Sequence, residues 1–248
     1  MAAMERYTSV GLGRLRRLSA VHHWLFPPHC LLCGEEGIDG LDLCSGCLAA
    51  LPWLGNACPV CALPLPEAGP ELLCGRCGGK RSALTSTCGA FRYDWPVDRL
   101  LRRFKFGGDL VAGRLLAQLM AGHAMARPFT GLDRSDAVLV PVPLHPGRLR
   151  ARGYDQAAEL TRSLSCETEW PWCFALRRRI ATQAQSVLEA HARRRNVHGV
   201  FESVAPVPSH VVLVDDVMTT GATLRSAART LRQAGAQRVD AWVCARVP

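Results

Sequence analysis

Eight of the twelve cysteines fall in four C-x-x-C pairs: Cys30/Cys33, Cys44/Cys47, Cys58/Cys61 and Cys74/Cys77. This spacing puts two sulfurs on one knuckle, and two knuckles close a tetrahedral zinc site. Ten residues separate the first two pairs and twelve the last two, a little short of the usual zinc-ribbon gap of roughly 15–20 residues. Two structural zinc ions, each held by four thiolates, are the expectation. Sequential pairing is preferred; the alternative is a cross-braced arrangement, first pair with third and second with fourth. Disulfides would need an oxidising compartment. The apolar stretch after Arg17 is short, is broken by His22 and His23, and lacks an A-x-A cleavage pattern, which argues against export and for a cytoplasmic protein. Of the remaining cysteines, Cys88 reads as a buried strand residue.

A second constellation spans residues 211–223. Four apolar residues, Val211–Val214, make a buried strand, and Asp215 and Asp216 follow at its carboxyl end. Thr219, Thr220, Gly221, Ala222 and Thr223 then turn into a helix. Backbone N–H groups at such a turn attract a phosphate. Gly221 allows close approach of the backbone, and the threonine hydroxyls add hydrogen bonds. Two adjacent carboxylates would repel that phosphate, so they should face another part of the ligand. The vicinal hydroxyls of a ribose, which donate to carboxylates, fit.

Further cations stand where an anion could use them. Val140–Leu144 ends a strand in a proline-rich turn, and Arg148, Arg150 and Arg152 follow at two-residue spacing. Such a loop at a sheet edge suits a pyrophosphate, because the guanidinium fork matches phosphate oxygens. Lys80 and Lys105 are the only lysines among 30 basic residues, and Lys105 is an anion-contact candidate. Arg193–Arg195 with Asn196 could belong to a segment closing over the ligand. His145 reads as an ordinary loop histidine. Arg99, Arg102, Arg103 and Lys105 lie near Tyr93, Trp95, Phe104 and Phe106, a weak stacking platform whose plainer reading is core packing.

The elements that must position these groups can be read from periodicity. The chain has 248 residues, 48% of them hydrophobic and 21% charged, which excludes wholesale disorder. No apolar run reaches the roughly 18 residues of a membrane span, so an integral membrane protein is not expected. The net charge of +9 favours polyanionic partners, but two four-thiolate zinc sites would reduce it to about +5. Residues 11–26 have helical spacing and basic flanks. We divide the chain into an N-terminal helix (1–27), a double zinc ribbon (28–82) and an α/β domain (88–248). The ribbon segment is too short to bury much core, so metal must hold it together. In the α/β part, strands are expected at 89–95, 137–142, 172–176, 211–214 and 239–244. Helices are expected at 97–105, 109–126, 154–164 and 222–233, with a basic helix or ordered loop at 187–196. Strands alternating with helices imply a doubly wound, mostly parallel sheet, with its ligand crevice beyond the carboxyl ends of the strands.

The 211–223 string resembles the phosphoribosyl pyrophosphate (PRPP) motif of type I phosphoribosyltransferases. That resemblance implies that Asp215 and Asp216 hold ribose hydroxyls and that Thr219–Thr223 cradle the 5′-phosphate, with Mg²⁺ accompanying PRPP. The rest of the chain is similar to the ComF/GntX family. The resemblance is carried by Val140–Leu144, by Arg148, Arg150 and Arg152-Gly153-Tyr154-Asp155-Gln156, by Phe104-Lys105-Phe106, by the Thr182–Phe201 stretch and by the four C-x-x-C pairs. Asp155 stands where the family carries asparagine, which could weaken anion binding or change a hydrogen bond. The family implies a role in competence, DNA uptake and utilisation through handling of single-stranded DNA, with DNA-uptake machinery as partner. The alternative is an active phosphoribosyltransferase acting on an unidentified nucleobase or other acceptor.

Overall fold

The computed structural model describes residues 27–66, 73–79, 82–126, 137–179, 200–204 and 206–248. The helix expected at 11–26 and the basic segment at 187–196 lie outside the described residues, as does Lys80. A short helix α1 (Ser45–Ala49) precedes the sheet domain. The elements that follow are β1 (Thr87–Arg92), α2 (Val97–Gly107), α3 (Leu110–Ala126), β2 (Ala137–Pro141), α4 (Pro146–Arg152) and α5 (Gln156–Thr168). The chain continues with β3 (Leu176–Arg178), β4 (Phe201–Ser203), β5 (His210–Met218), α6 (Ala222–Gln233) and β6 (Arg238–Arg246).

Four strands form one parallel sheet in the order β1-β6-β5-β2. Its central strands are nearly continuous apolar runs, as strands covered on both faces must be. Along β5, Val212 and Val214 pack with Leu115, Leu116 and Leu160 from α3 and α5. Val211 and Leu213 pack on the opposite face with Leu224, Ala228 and Leu231 of α6. The strand alternation therefore assigns each β5 side chain to one layer or the other. In α2, Val97, Leu100, Leu101 and Phe104 follow helical spacing, and all are fully buried. Helix α3 packs so closely on α2 that a Cβ at Gly113 would stand 2.5 Å from the Phe104 ring.

Both sheet edges are covered, which removes exposed strand edges. On β1, Leu54 N–H donates to Ala90 O (2.8 Å), Arg92 N–H to Pro52 O (2.9 Å) and Thr87 N–H to Pro59 O (2.7 Å). On β2, Leu139 N–H donates to Pro171 O (2.9 Å) and Cys173 N–H to Leu139 O (3.0 Å).

Several sequence expectations need correction. Pro146–Arg152 is a helix rather than an open loop, because Pro146 starts it and the His145 ring accepts from Gly147 N–H. The strand expected at 172–176 is shifted: Trp172 makes one bridge to Leu139, and β3 pairs with β4 as a separate antiparallel ribbon. Strand β5 extends to Met218, since pairing with β6 continues past Asp215. Cys88 lies in β1 but is only half-buried.

Asp240 is fully buried in β6 and accepts from Ser86 Oγ (2.6 Å) and Arg238 Nε (2.7 Å). Asp240→Ala removes the carboxylate facing a largely covered guanidinium and should cost about 3–5 kcal/mol in urea unfolding. Glu202→Gln, at an exposed pair with Arg177, should cost about 1 kcal/mol or less.

Candidate functional site

The extended β5 carries Asp215 and Asp216 in its last turn of pairing, so their side chains leave opposite faces of the strand. Asp216 is 9% exposed and meets Lys105 Nζ from the last turn of α2 at 2.9 Å. Asp155 lies close enough to Asp216 to feel its charge. Asp215 is partly covered on the other side, where its charge reaches Arg178 of β3. Burial pushes the Asp215 carboxyl up to about 8, and the neighbouring Asp216 charge adds to that shift. Lys105 and the Asp216 N–H, which donates to Asp215 Oδ1 at 2.9 Å, act against it. Near neutral pH the corner therefore carries less than two full negative charges.

Beyond the carboxylates, Thr219 is exposed and Thr220 half-covered. Gly221 occupies the N-cap of α6 with φ +71°. The left-handed backbone favours glycine here; a Cβ would also stand 2.3 Å from the Met218 methyl and 2.9 Å from Arg225 Nη1, the ends of two flexible side chains that would have to move. Arg225 Nη2 donates to Thr220 O at 2.7 Å and holds the turn. Gly221 has no side chain to cap this helix, and the only side-chain acceptor at its start among the described residues is Thr220 Oγ1, which takes Ala222 N–H at a long 3.4 Å. Helix α5 is different: Asp155 at its N-cap accepts from Ala157 N–H and Ala158 N–H at 3.0 and 3.2 Å. The first-turn amides of α6 beyond Ala222 thus keep capacity for an anion from outside the helix.

Arg148 and Arg152 stand one turn apart on α4. The two arginines divide. Arg152 Nη1 donates to Gln156 Oε1 at 2.9 Å, whereas Arg148 is near enough to Arg178 to depress it. The whole Arg152–Gln156 string has a local structural account. Gly153 ends α4 at φ +82°, the Tyr154 ring lies 5.8 Å from that of Phe104, and Gln156 is buried. Asp155 Oδ2 also accepts from Leu144 N–H at 2.9 Å, so its two oxygens serve three N–H donors. Asparagine has a single acceptor oxygen, so aspartate suits this joint. His145 caps α4 and is engaged there.

The structure thus brings Lys105, Asp215 and Asp216 together, and the Thr219–Thr223 turn follows along the chain; Arg148 is linked to the corner through Arg178, while Arg152 is engaged by Gln156 and the Phe106 ring. Sequence reasoning missed Arg178. It is 8% exposed, and its guanidinium lies 5.6 Å from the Phe201 ring centroid. Burial pushes it down, helped by Arg148 and opposed by Asp215. The signal was the period of two in Arg177-Arg178-Arg179, whose middle member turns inward while the outer two face solvent.

The eight paired cysteines form two clusters, Cys30/Cys33/Cys44/Cys47 and Cys58/Cys61/Cys74/Cys77, each with its sulfurs within 4.8 Å of one another. The pairing is sequential. Burial and crowding by neighbouring sulfurs push Cys47 and Cys77 up, so four thiolates at this separation need a cation among them. The donor set fits tetrahedral zinc. The first cluster packs with α2 and α3, where Arg103 donates to Leu31 O (2.7 Å) and Arg114 to Asp42 (2.8 Å). The second packs on the α6 face, where buried Arg246 Nε donates to Cys61 O at 2.9 Å. Metal analysis of the purified protein should return about two zinc ions per chain. Cys58→Ser should lose one ion and lower the unfolding midpoint; an iron–sulfur absorption band would overturn the assignment.

Residues 21–78 match the double zinc ribbon domain family, and residues 203–248 the phosphoribosyl transferase domain family. The DNA utilization protein YhgH of Salmonella typhimurium is 34% identical over 224 residues, covering 89% of this chain and 97% of that protein. Competence protein F of Haemophilus influenzae is 30% identical over 226 residues, covering 88% and 96%. Competence protein ComFC of Streptococcus pneumoniae is 24% identical over 234 residues, covering 88% and 99%. No described helix is long and apolar enough to cross a membrane. With a phosphoribosyltransferase-type parallel sheet and two four-cysteine clusters joined in one chain, and relatives matched over nearly their full length, the protein belongs to the ComF family.

Proposed function

We propose that the corner between β5 and α6 binds PRPP or a related ribose phosphate, and that the protein serves DNA utilisation in the cytoplasm through single-stranded DNA. One observation carries this reading: two carboxylates on opposite faces of β5 lie one short threonine-glycine turn before a helix whose N-cap residue offers no side-chain acceptor. Asp215 and Asp216 would accept from ribose hydroxyls. The Thr219–Thr223 amides and hydroxyls would take the 5′-phosphate. Lys105, Arg148 and Arg152 would face the pyrophosphate. Mg²⁺, when bound with PRPP, supplies further neutralisation of the pyrophosphate charge. The names of the relatives, which speak of competence and DNA utilisation, support the DNA role. The arginine-rich surface supplies the phosphate contacts that role needs.

Asp215→Asn with Asp216→Asn should weaken PRPP binding at least tenfold in calorimetry and leave the fold intact; unchanged affinity would remove the site assignment. Lys105 loses its carboxylate partner in that variant, so circular dichroism should accompany the titration. The pH dependence has a definite sign. Asp215 gains its charge as pH rises through about 8, and a carboxylate accepts hydroxyl hydrogen bonds better than a carboxyl. PRPP affinity should therefore rise between pH 7 and 9, relative to Asp215→Asn. The same group makes the folded state retain a proton that the unfolded chain has released, so its contribution to stability falls over the range from about 4 to about 8. Single-stranded DNA affinity should fall steeply between two salt concentrations. Isotopic pyrophosphate exchange with PRPP and a panel of bases would report ribosyl transfer.

A further inference from the structure

Phe104 and Phe106 stand two residues apart on α2 and have opposite fates. Phe104 is fully buried, whereas Phe106 is 73% exposed. A solitary exposed aromatic is common on protein surfaces and by itself says nothing. This one is held in place. The Arg152 guanidinium lies 5.1 Å from the ring centroid, within cation–π range. Arg152 is tethered in turn to Gln156 Oε1 at 2.9 Å, and Gln156 is buried at the start of α5. Gly107 and Gly108 follow the ring and end the helix, with Gly108 at φ +65°, so neither neighbour brings a side chain over it. The preceding residue, Lys105, reaches Asp216 at 2.9 Å. The ring thus belongs to the rim of the same corner.

We infer that Phe106, backed by Arg152, is a stacking platform for a nucleobase. The base belongs either to a mononucleotide seated at the β5–α6 corner or to a bound strand. The inference rests on the ribose-phosphate reading and adds the heterocycle attached to that sugar. An aromatic face with a guanidinium against it attracts the π-face of any base, and stacking needs no hydrogen-bond code. Cations around the corner attract the phosphate, while the ring takes the base.

The test uses the full chain with Mg²⁺ and three probes: PRPP, a nucleoside 5′-monophosphate and a short thymidine oligonucleotide. Phe106→Ala removes an exposed ring and should leave the fold unchanged. Affinity for the base-bearing probes should fall on the order of tenfold, the usual scale for one stacked base, and PRPP affinity by a much smaller factor, felt only through Arg152. Equal loss with mononucleotide and oligonucleotide puts the base on the sugar at the corner. Loss with the oligonucleotide alone puts it in a strand; both results support the platform. Phe106→Trp should keep the affinity, and its difference emission should be quenched by the nucleotide and not by PRPP. Loss of PRPP affinity equal to that of the nucleotide, no loss with any probe, or no binding of a base-bearing probe to the wild-type protein overturns the platform. Absence of PRPP binding to the wild-type protein, with base binding still sensitive to Phe106→Ala, overturns the ribose-phosphate reading alone.

Discussion

Two adjacent carboxylates at the end of a buried parallel strand cannot both ionise without help from their surroundings. The β5 corner meets this constraint in three ways. Strand geometry sends Asp215 and Asp216 to opposite faces, Lys105 neutralises Asp216 at 2.9 Å, and Asp215 retains a proton up to about pH 8. The placement of α2 follows from this, since it must end beside the sheet to present Lys105. Helix α5 works the other way: Asp155 at its start adds a third carboxylate whose charge pushes Asp215 further up.

The cysteine clusters contribute to the same assembly. A segment of this length was expected to depend on metal because it cannot enclose a core. The structure adds a second source of order, since Leu43, Leu48 and Leu51 join the buried layer of α2 and α3, and Cys58, Cys61 and Cys74 join that of α6. The chain between the clusters runs along the free edge of β1. Buried Arg246 links the second cluster to β5 by donating to Cys61 O at 2.9 Å and Met218 O at 3.2 Å. Metal loss in that cluster would thus be felt at the strand that carries the acidic pair.

An ordinary helix start satisfies its amides with its own N-cap, as α4 and α5 do through His145 and Asp155. Helix α6 starts with a glycine that its left-handed backbone favours. The N-cap residue supplies no acceptor, and Thr220 Oγ1 takes only Ala222 N–H, at 3.4 Å. Helix α2 also starts without a side-chain cap, at Pro96, so it is the acidic pair preceding α6 that distinguishes the β5–α6 corner.

Much of this was legible before folding was considered. Four C-x-x-C pairs, the apolar run Val211–Val214, the acid pair and the threonine-glycine turn are local patterns, and local patterns depend only on nearest neighbours along the chain. Helical spacing likewise located α2, α3 and α6 to within a few residues. The order β1-β6-β5-β2, the sequential closure of the cysteine clusters and the coverage of both sheet edges arise from contacts between distant segments. Lys105 meeting Asp216 is one such contact, as are Arg178 turning in beneath Arg148 and Asp215, and Phe106 left outside while Phe104 goes in. Spacing along the chain states which groups exist; which of them share a charge environment is decided only when helices and strands from different parts of the chain compete for the same buried volume.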